Sequence, residues 1–223
     1  MATHFQDLLS DLRNRISRMS AMVQQIVEQS IEAIDRLDPK LARSVIDSDA
    51  AVDEEEVHVE HAAINLLALY QPAAVDLRLI TTIIKVNSDL ERIADCAVNI
   101  AQRVLPLAGA DSLDGKLPAD LARLARNVAS TLRDSIKAFN TLDEVQARKV
   151  LQGDHIVDAL YSQIVQDALT TLESPNRAGD TNTILANIMI AKNLERIGDH
   201  CTNIAEDVIY VCCGRIVRHR RAV

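Results

Sequence analysis

The chain has 223 residues, 48% hydrophobic and 25% charged, with 2% aromatics, no tryptophan and a net charge of −8. Its core must therefore be built from Leu, Ile, Val and Ala, which suits helix-on-helix packing, and its acidity argues against nonspecific nucleic-acid binding. No run reaches the roughly 18 apolar residues of a membrane span, and the amphipathic opening MATHFQDLLSDLRNRIS has no apolar leader core.

In chain order, Met19, Met22, Val23, Ile26, Ser30, Ile34 and Leu37 follow three- and four-residue steps, a helical period. Asp38-Pro39 places a capping residue before a proline, and a second helix is predicted over 39–70, interrupted by Pro72. A third is predicted over 74–104, ending at Pro106. The stretch LPLAGADSLDGKLP (105–118) holds two of the six glycines and two of the five prolines and reads as a linker. Helical patterns resume over 119–142, 144–172 and 181–213, the last two separated by ESPNRAGD (173–180). The end, GRIVRHRRAV, carries Arg215, Arg218, Arg220 and Arg221. It reads as a solvated tail, or as a contact for an acidic partner or membrane surface. Cys96, Cys201, Cys212 and Cys213 show no CxxC, finger or disulfide-framework spacing, and read as reduced thiols of a cytosolic protein.

The chain is duplicated at an offset of 104 or 105 residues. LDPKLARSVIDSD (37–49) lies over LDEVQARKVLQGD (142–154), and LERIADCAVNIA (90–101) over LERIGDHCTNIA (194–205) with eight identities in twelve. The predicted fold is all-α, two tandem antiparallel three-helix bundles, with boundaries at 1–104, 105–118 (linker), 119–213 and 214–223 (basic tail).

Acidic side chains recur in register. Glu195, Asp199 and Asn203 stand at four-residue intervals, as do Glu91, Asp95 and Asn99, which stacks each trio along one helix face with no lysine or arginine on that stripe. The preceding helix of each unit carries Asp49/Asp53 and Asp154/Asp158. Folded into antiparallel hairpins, the pairs 49/95 and 53/91 share a midpoint at Pro72, and 154/199 and 158/195 share one between Asn176 and Arg177. Leu90, Ile93, Ala97, Ile100 and Val104, and likewise Leu194, Ile197, Cys201, Ile204 and Val208, form apolar seams on the other side. Stacked like charges cost about 0.2–0.5 kcal/mol per i,i+4 pair, so the duplicated arrangement calls for a cation. All-oxygen ligands favour Mg²⁺, Mn²⁺, Ca²⁺ or iron. His155 and His200 adjoin the ligands but are turned about 100° away, and Arg92 and Arg196 lie off the stripe. Glu56 and Glu60 extend the first cluster, whereas their counterparts are Tyr161 and Val165.

The tandem ERIGDH and ERIADC segments, the QPAAVDLR turn and the D-x-x-x-D pairs closely resemble the PhoU family, over about residues 8 to 212. The resemblance implies two three-helix bundles related by a pseudo-twofold. It also implies metal ions or clusters at Asp49, Asp53, Glu91 and Asp95 and at Asp154, Asp158, Glu195 and Asp199, with Asn99 and Asn203 at the polar position one turn further. Ala94-Asp95-Cys96 replaces the usual Gly-Asp-His, and DTNTIL lacks an arginine matching Arg78. The implied function is non-enzymatic: negative regulation of phosphate uptake and of the phosphate-starvation response. The partners would be the ATPase subunit of the phosphate ABC transporter and a sensor histidine kinase, met on the cytoplasmic side, with homodimers common in the family.

Two other readings stand beside this one. A metal-independent helical adaptor would present the acidic stripes to a basic partner. A carboxylate-bridged di-iron enzyme would need two E-x-x-H motifs, and only Glu55-x-x-His58 is found.

Overall fold

The computed structural model describes residues 2–108, 117–173, 181–215 and 217, with side chains from residue 4. Most of the expected linker, the 174–180 turn and most of the basic tail lie outside these residues. Seven helices follow in order: α1 (Ala2–Arg36), α2 (Pro39–Asp47), α3 (Asp49–Tyr70), α4 (Ala74–Leu107), α5 (Ala119–Thr141), α6 (Glu144–Glu173) and α7 (Thr181–Cys213). No strand occurs among the described residues, and no helix there is long and apolar enough to cross a membrane.

The duplicated LD dipeptides build the same corner twice. Leu37 and Leu142 take left-handed backbone angles, φ 48° and 50°. The Asp38 amide donates to the Ala33 carbonyl and the Asp143 amide to the Ala138 carbonyl, closing the preceding helix in a Schellman turn. Each aspartate then caps the next helix: Asp38 accepts from the Lys40 and Leu41 amides at 2.8 and 3.2 Å, and Asp143 from the Gln146 amide at 3.0 Å. A left-handed leucine costs about 1–2 kcal/mol, which is offset by packing both side chains against the core.

Two predicted boundaries are corrected. The rod expected over 39–70 breaks at Ser48, whose hydroxyl donates back to the Ser44 and Val45 carbonyls at 3.0 and 2.8 Å, a contact that bends helices. Gly153 occupies the equivalent place, has no hydroxyl, and lies within an unbroken α6. The third helix does not stop before Pro106 but runs to Leu107. A proline in the final turn removes one hydrogen bond there, while the Ala108 amide still donates to the Val104 carbonyl at 2.9 Å.

α1, the α2–α3 rod and α4 pack together, as do α5, α6 and α7, and the α4–α7 pairing joins the two sets. The predicted seams are buried: Leu90, Ile93, Ala97, Ile100 and Val104 from α4, and Leu194, Ile197, Cys201, Ile204 and Val208 from α7. Burial pushes the Cys96 thiol up to about 11 and Cys201 to about 12, so both act as small apolar side chains. Cys212 and Cys213 are exposed and free, and their thiols donate to the Leu142 carbonyl and the Glu144 carboxylate.

Polar contacts also cross the α4–α7 junction. Lys85 Nζ lies 3.3 Å from Asp207 Oδ1 and over the Tyr210 ring. Asp89 Oδ1 meets His200 Nδ1 at 2.8 Å and accepts from Asn203 Nδ2 at 3.1 Å. Contacts of this kind, each seated on a largely buried aspartate, help fix the register of a long apolar seam.

Candidate metal centres

The hairpins set the acidic residues on facing helices, but unequally: among the described residues only Asp158, Glu195 and Asp199 stand within single-ion reach of one another, while Asp49, Asp53, Glu91 and Asp95 are near enough only for their charges to act on each other. Asp49 opens α3 just after the Ser48 break, with Asp53 one turn on. Across the hairpin, the charges of Asp53 and Asp95 act on Asp49, and those of Asp95, Glu56 and Asp53 act on Glu91. In the second hairpin, one carboxylate oxygen each from Asp158, Glu195 and Asp199 lie within 4.8 Å of one another. Asp154 lies outside that group of three, but near enough for its charge to act on Asp199. Gly198 lets α6 approach α7 closely beside the carboxylates: a methyl there would lie 3.1 Å from Val157 Cγ1, so a larger residue would require Val157 to give way by a few tenths of an ångström.

The electrostatics record crowding. Desolvation, then Glu195, Asp154 and Asp158, raise the Asp199 carboxyl to about 6, with Lys192 opposing. Asp154 is raised by desolvation and Asp158, and Asp49 by desolvation, Asp53 and Asp95. Glu91 and Glu56 are raised as well, first by desolvation and then by Asp95 and Glu60 respectively. A hard ion at about 2.0–2.6 Å from its ligands places opposite oxygens about 4–5 Å apart. The spread in the second cluster therefore suits one such ion, and carboxylates are the donors that Mg²⁺, Mn²⁺, Ca²⁺ or iron take.

Several features escaped the sequence reading. Arg92 was placed off the stripe, yet its guanidinium reaches back to Glu91 at 3.2 Å and Asp95 at 3.4 Å. The second stripe also has a cation: Lys192 Nζ lies 2.6 Å from Glu195 Oε2, propped over the Tyr161 ring at 5.2 Å. Long flexible side chains reach one turn along a helix whatever the direction of their own Cβ. The positions equivalent to Lys192 and Tyr161 are Ser88 and Glu56, so the first cluster has an extra acid where the second has a braced ammonium. Asn203 directs its amide N–H to Asp89 across the α4–α7 junction rather than toward Glu195 and Asp199, and His200 binds that same aspartate. Asn99 is half-buried on α4. Glu206, two turns beyond Asp199, adds a repulsive charge to Asp154. Asn87, one turn before Glu91, is buried and donates to the Glu56 carbonyl at 2.9 Å, tying α4 to α3 beside the first cluster. Glu55 and His58, the only E-x-x-H motif, sit elsewhere: Glu55 pairs with Arg15 and Arg18 of α1 at 3.5 and 3.7 Å.

The sequence model of the PhoU domain matches this chain twice, over residues 16–104 and 121–208. The chain belongs to the PhoU family. The first match spans Asp49, Asp53, Glu91 and Asp95, and the second Asp154, Asp158, Glu195 and Asp199. A phosphate-specific transport system accessory protein PhoU homolog of Rhizobium meliloti is 35% identical over 211 residues, 94% of this chain and 87% of that one. A homolog from Aquifex aeolicus is 36% identical over 213 residues, 95% and 94% of the two chains. The crystal structure of PhoU from Pseudomonas aeruginosa superposes with a TM-score of 0.87 at 32% identity, covering 95% of this chain and all of that one. That likeness bears out the all-α PhoU fold, with its domain present in tandem.

Proposed function

We propose that this protein is a metal-dependent negative regulator of phosphate uptake. The carrying observation is that a family of phosphate-transport accessory proteins matches both repeats and nearly the whole chain. In this reading Asp49, Asp53, Glu91 and Asp95 hold one hard cation or cluster and Asp154, Asp158, Glu195 and Asp199 another. The metal supplies the charge that lets eight carboxylates stand at two surface patches. The protein catalyses no reaction. It acts on the cytoplasmic side as a homodimer, contacts the transporter's ATPase subunit and a sensor histidine kinase, and damps uptake and the starvation response when phosphate is plentiful. The pairing of Glu55 with Arg15 and Arg18 of α1 supports the non-enzymatic reading over a di-iron one.

Deleting the gene is expected to switch on phosphate-starvation transcription in high phosphate. Wild-type protein restores repression and the Asp95→Ala/Asp199→Ala variant does not. Transcription that stays repressed in the deletion strain contradicts the regulatory role. Equal rescue by the variant favours the metal-independent adaptor.

Lys192 competes with metal at the second cluster. The Lys192 side chain is 48% exposed, and an exposed ion pair contributes about 0.2–1 kcal/mol, so Lys192→Met is expected to tighten Mn²⁺ binding there by up to about fivefold. Binding at the first cluster stays unchanged. Calorimetric titration of the chelated protein reads both sites, and equal affinities in wild type and variant contradict the competition.

A further inference from the structure

A cleft of about 330 Å³ lies where α1 and α4 meet the end of α5, its α4 residues two turns or more before Glu91. Its rim carries Ser10, Arg13, Asn14 and Ser17 from α1 and Asn140 from α5. Its floor is apolar: Leu79 and Ile83 of α4, with Phe139 of α5. In a chain with 32 acidic residues and a net charge of −8, no carboxylate lines it. Gln6 lines it as well, and among the described residues none of these six polar side chains has a side-chain hydrogen bond or ion pair within the chain.

Packing alone does not dictate this composition. At the 105-residue offset, Arg13, Asn14 and Ser17 correspond to Pro118, Ala119 and Ala122, and Asn140 to Asp35. The pseudo-symmetric corner thus has small or apolar residues and a carboxylate where this one has donors. A guanidinium, three amides and two hydroxyls on the rim of a cleft floored by Phe139 and aliphatic side chains suit an oxyanion joined to an apolar body. Guanidinium forks bind such oxygens in pairs, and the volume falls in the range of small-molecule sites, about 300–1,000 Å³. The number of donors favours the three oxygens of a phosphoryl group over the two of a carboxylate.

We propose that this cleft binds a small phosphomonoester, its phosphoryl group held by Arg13, Asn14 and Asn140 and its planar or apolar body resting on Phe139 and Ile83. The site joins the two repeats and does not depend on the metal reading. Phenyl phosphate is the probe, titrated into the full chain by calorimetry beside inorganic phosphate, benzoate and phenol. Phenyl phosphate is expected to bind at one site, at least about tenfold more tightly than each of the others. Arg13→Gln and Asn140→Asp are each expected to weaken it by about tenfold or more, the latter by placing a like charge on the rim. Arg43→Gln, an exposed change on α2, leaves binding unchanged and controls for general electrostatics. The proposal is overturned by any of four results: no saturable binding at millimolar phenyl phosphate, affinity indifferent to Arg13→Gln and Asn140→Asp, benzoate or phenol binding as tightly as phenyl phosphate, or equal binding of inorganic phosphate.

Discussion

Stripped of metal, the Asp199→Asn variant unfolds at a higher temperature than the wild type at pH 7.5, and the two converge near pH 4. The Asp199 carboxyl is raised from 3.8 to about 6, first by desolvation and then by Glu195, Asp154 and Asp158. A raised carboxylate binds its proton more tightly in the folded state than in the unfolded one. Stability therefore rises as pH falls through about 6, and the gain is complete below 3.8, where both states are protonated. Salt-bridged carboxylates show the opposite sign. Asp199 is exposed on its outer edge, so solvent screening cuts the effect to about 1 kcal/mol, or about 2–4 °C for a chain of this size. Saturating Mn²⁺ at pH 7.5 reverses the order, since only the wild type keeps the full ligand set. Thermal melts over pH 4–8, with chelator and with Mn²⁺, read both parts. A chelated wild type more stable than the variant at pH 7.5 contradicts the crowding.

Leu194→Ala is expected to destabilise the protein by about 3–5 kcal/mol, a large fraction of the roughly 5–15 kcal/mol by which domains are stable. Leu194 is 0% exposed on α7, the helix that packs on α4, α5 and α6 together, so truncation leaves a cavity that three partners cannot all close. Leu185→Ala, on the same helix but 47% exposed, serves as the comparison and shifts stability by about 0.5 kcal/mol or less. Urea denaturation of both variants checks the contrast. Similar midpoints would show that the seam is not the centre of the core.

The legible part of this fold rests on periodicity and symmetry. The apolar seams, the Asp38 cap, the turn near Pro72 and the level meeting of Asp49 with Asp95 follow from spacings of three, four and a shared midpoint. The illegible part rests on single groups. The Ser48 hydroxyl breaks a helix without disturbing its apolar pattern, and Pro106 is absorbed because only one bond is lost in a last turn. Arg92 and Lys192 reach the clusters through rotamers that a helical wheel does not represent. The Asp89 contacts with His200 and Asn203 join different repeats, and no register argument within one hairpin can find them. Asn203 therefore illustrates the limit of reading by stripe: its position matched the ligand row, and its amide turned to the neighbouring repeat.

Manganese anomalous diffraction from crystals of the chelated and reloaded protein tests the central claim most directly. The account predicts anomalous peaks among Asp49, Asp53, Glu91 and Asp95 and among Asp154, Asp158, Glu195 and Asp199, with the Lys192 ammonium displaced from Glu195 in the second. Crystals soaked in millimolar Mn²⁺ that show no peak at either cluster, with Arg92 and Lys192 still seated on their glutamates, would contradict it.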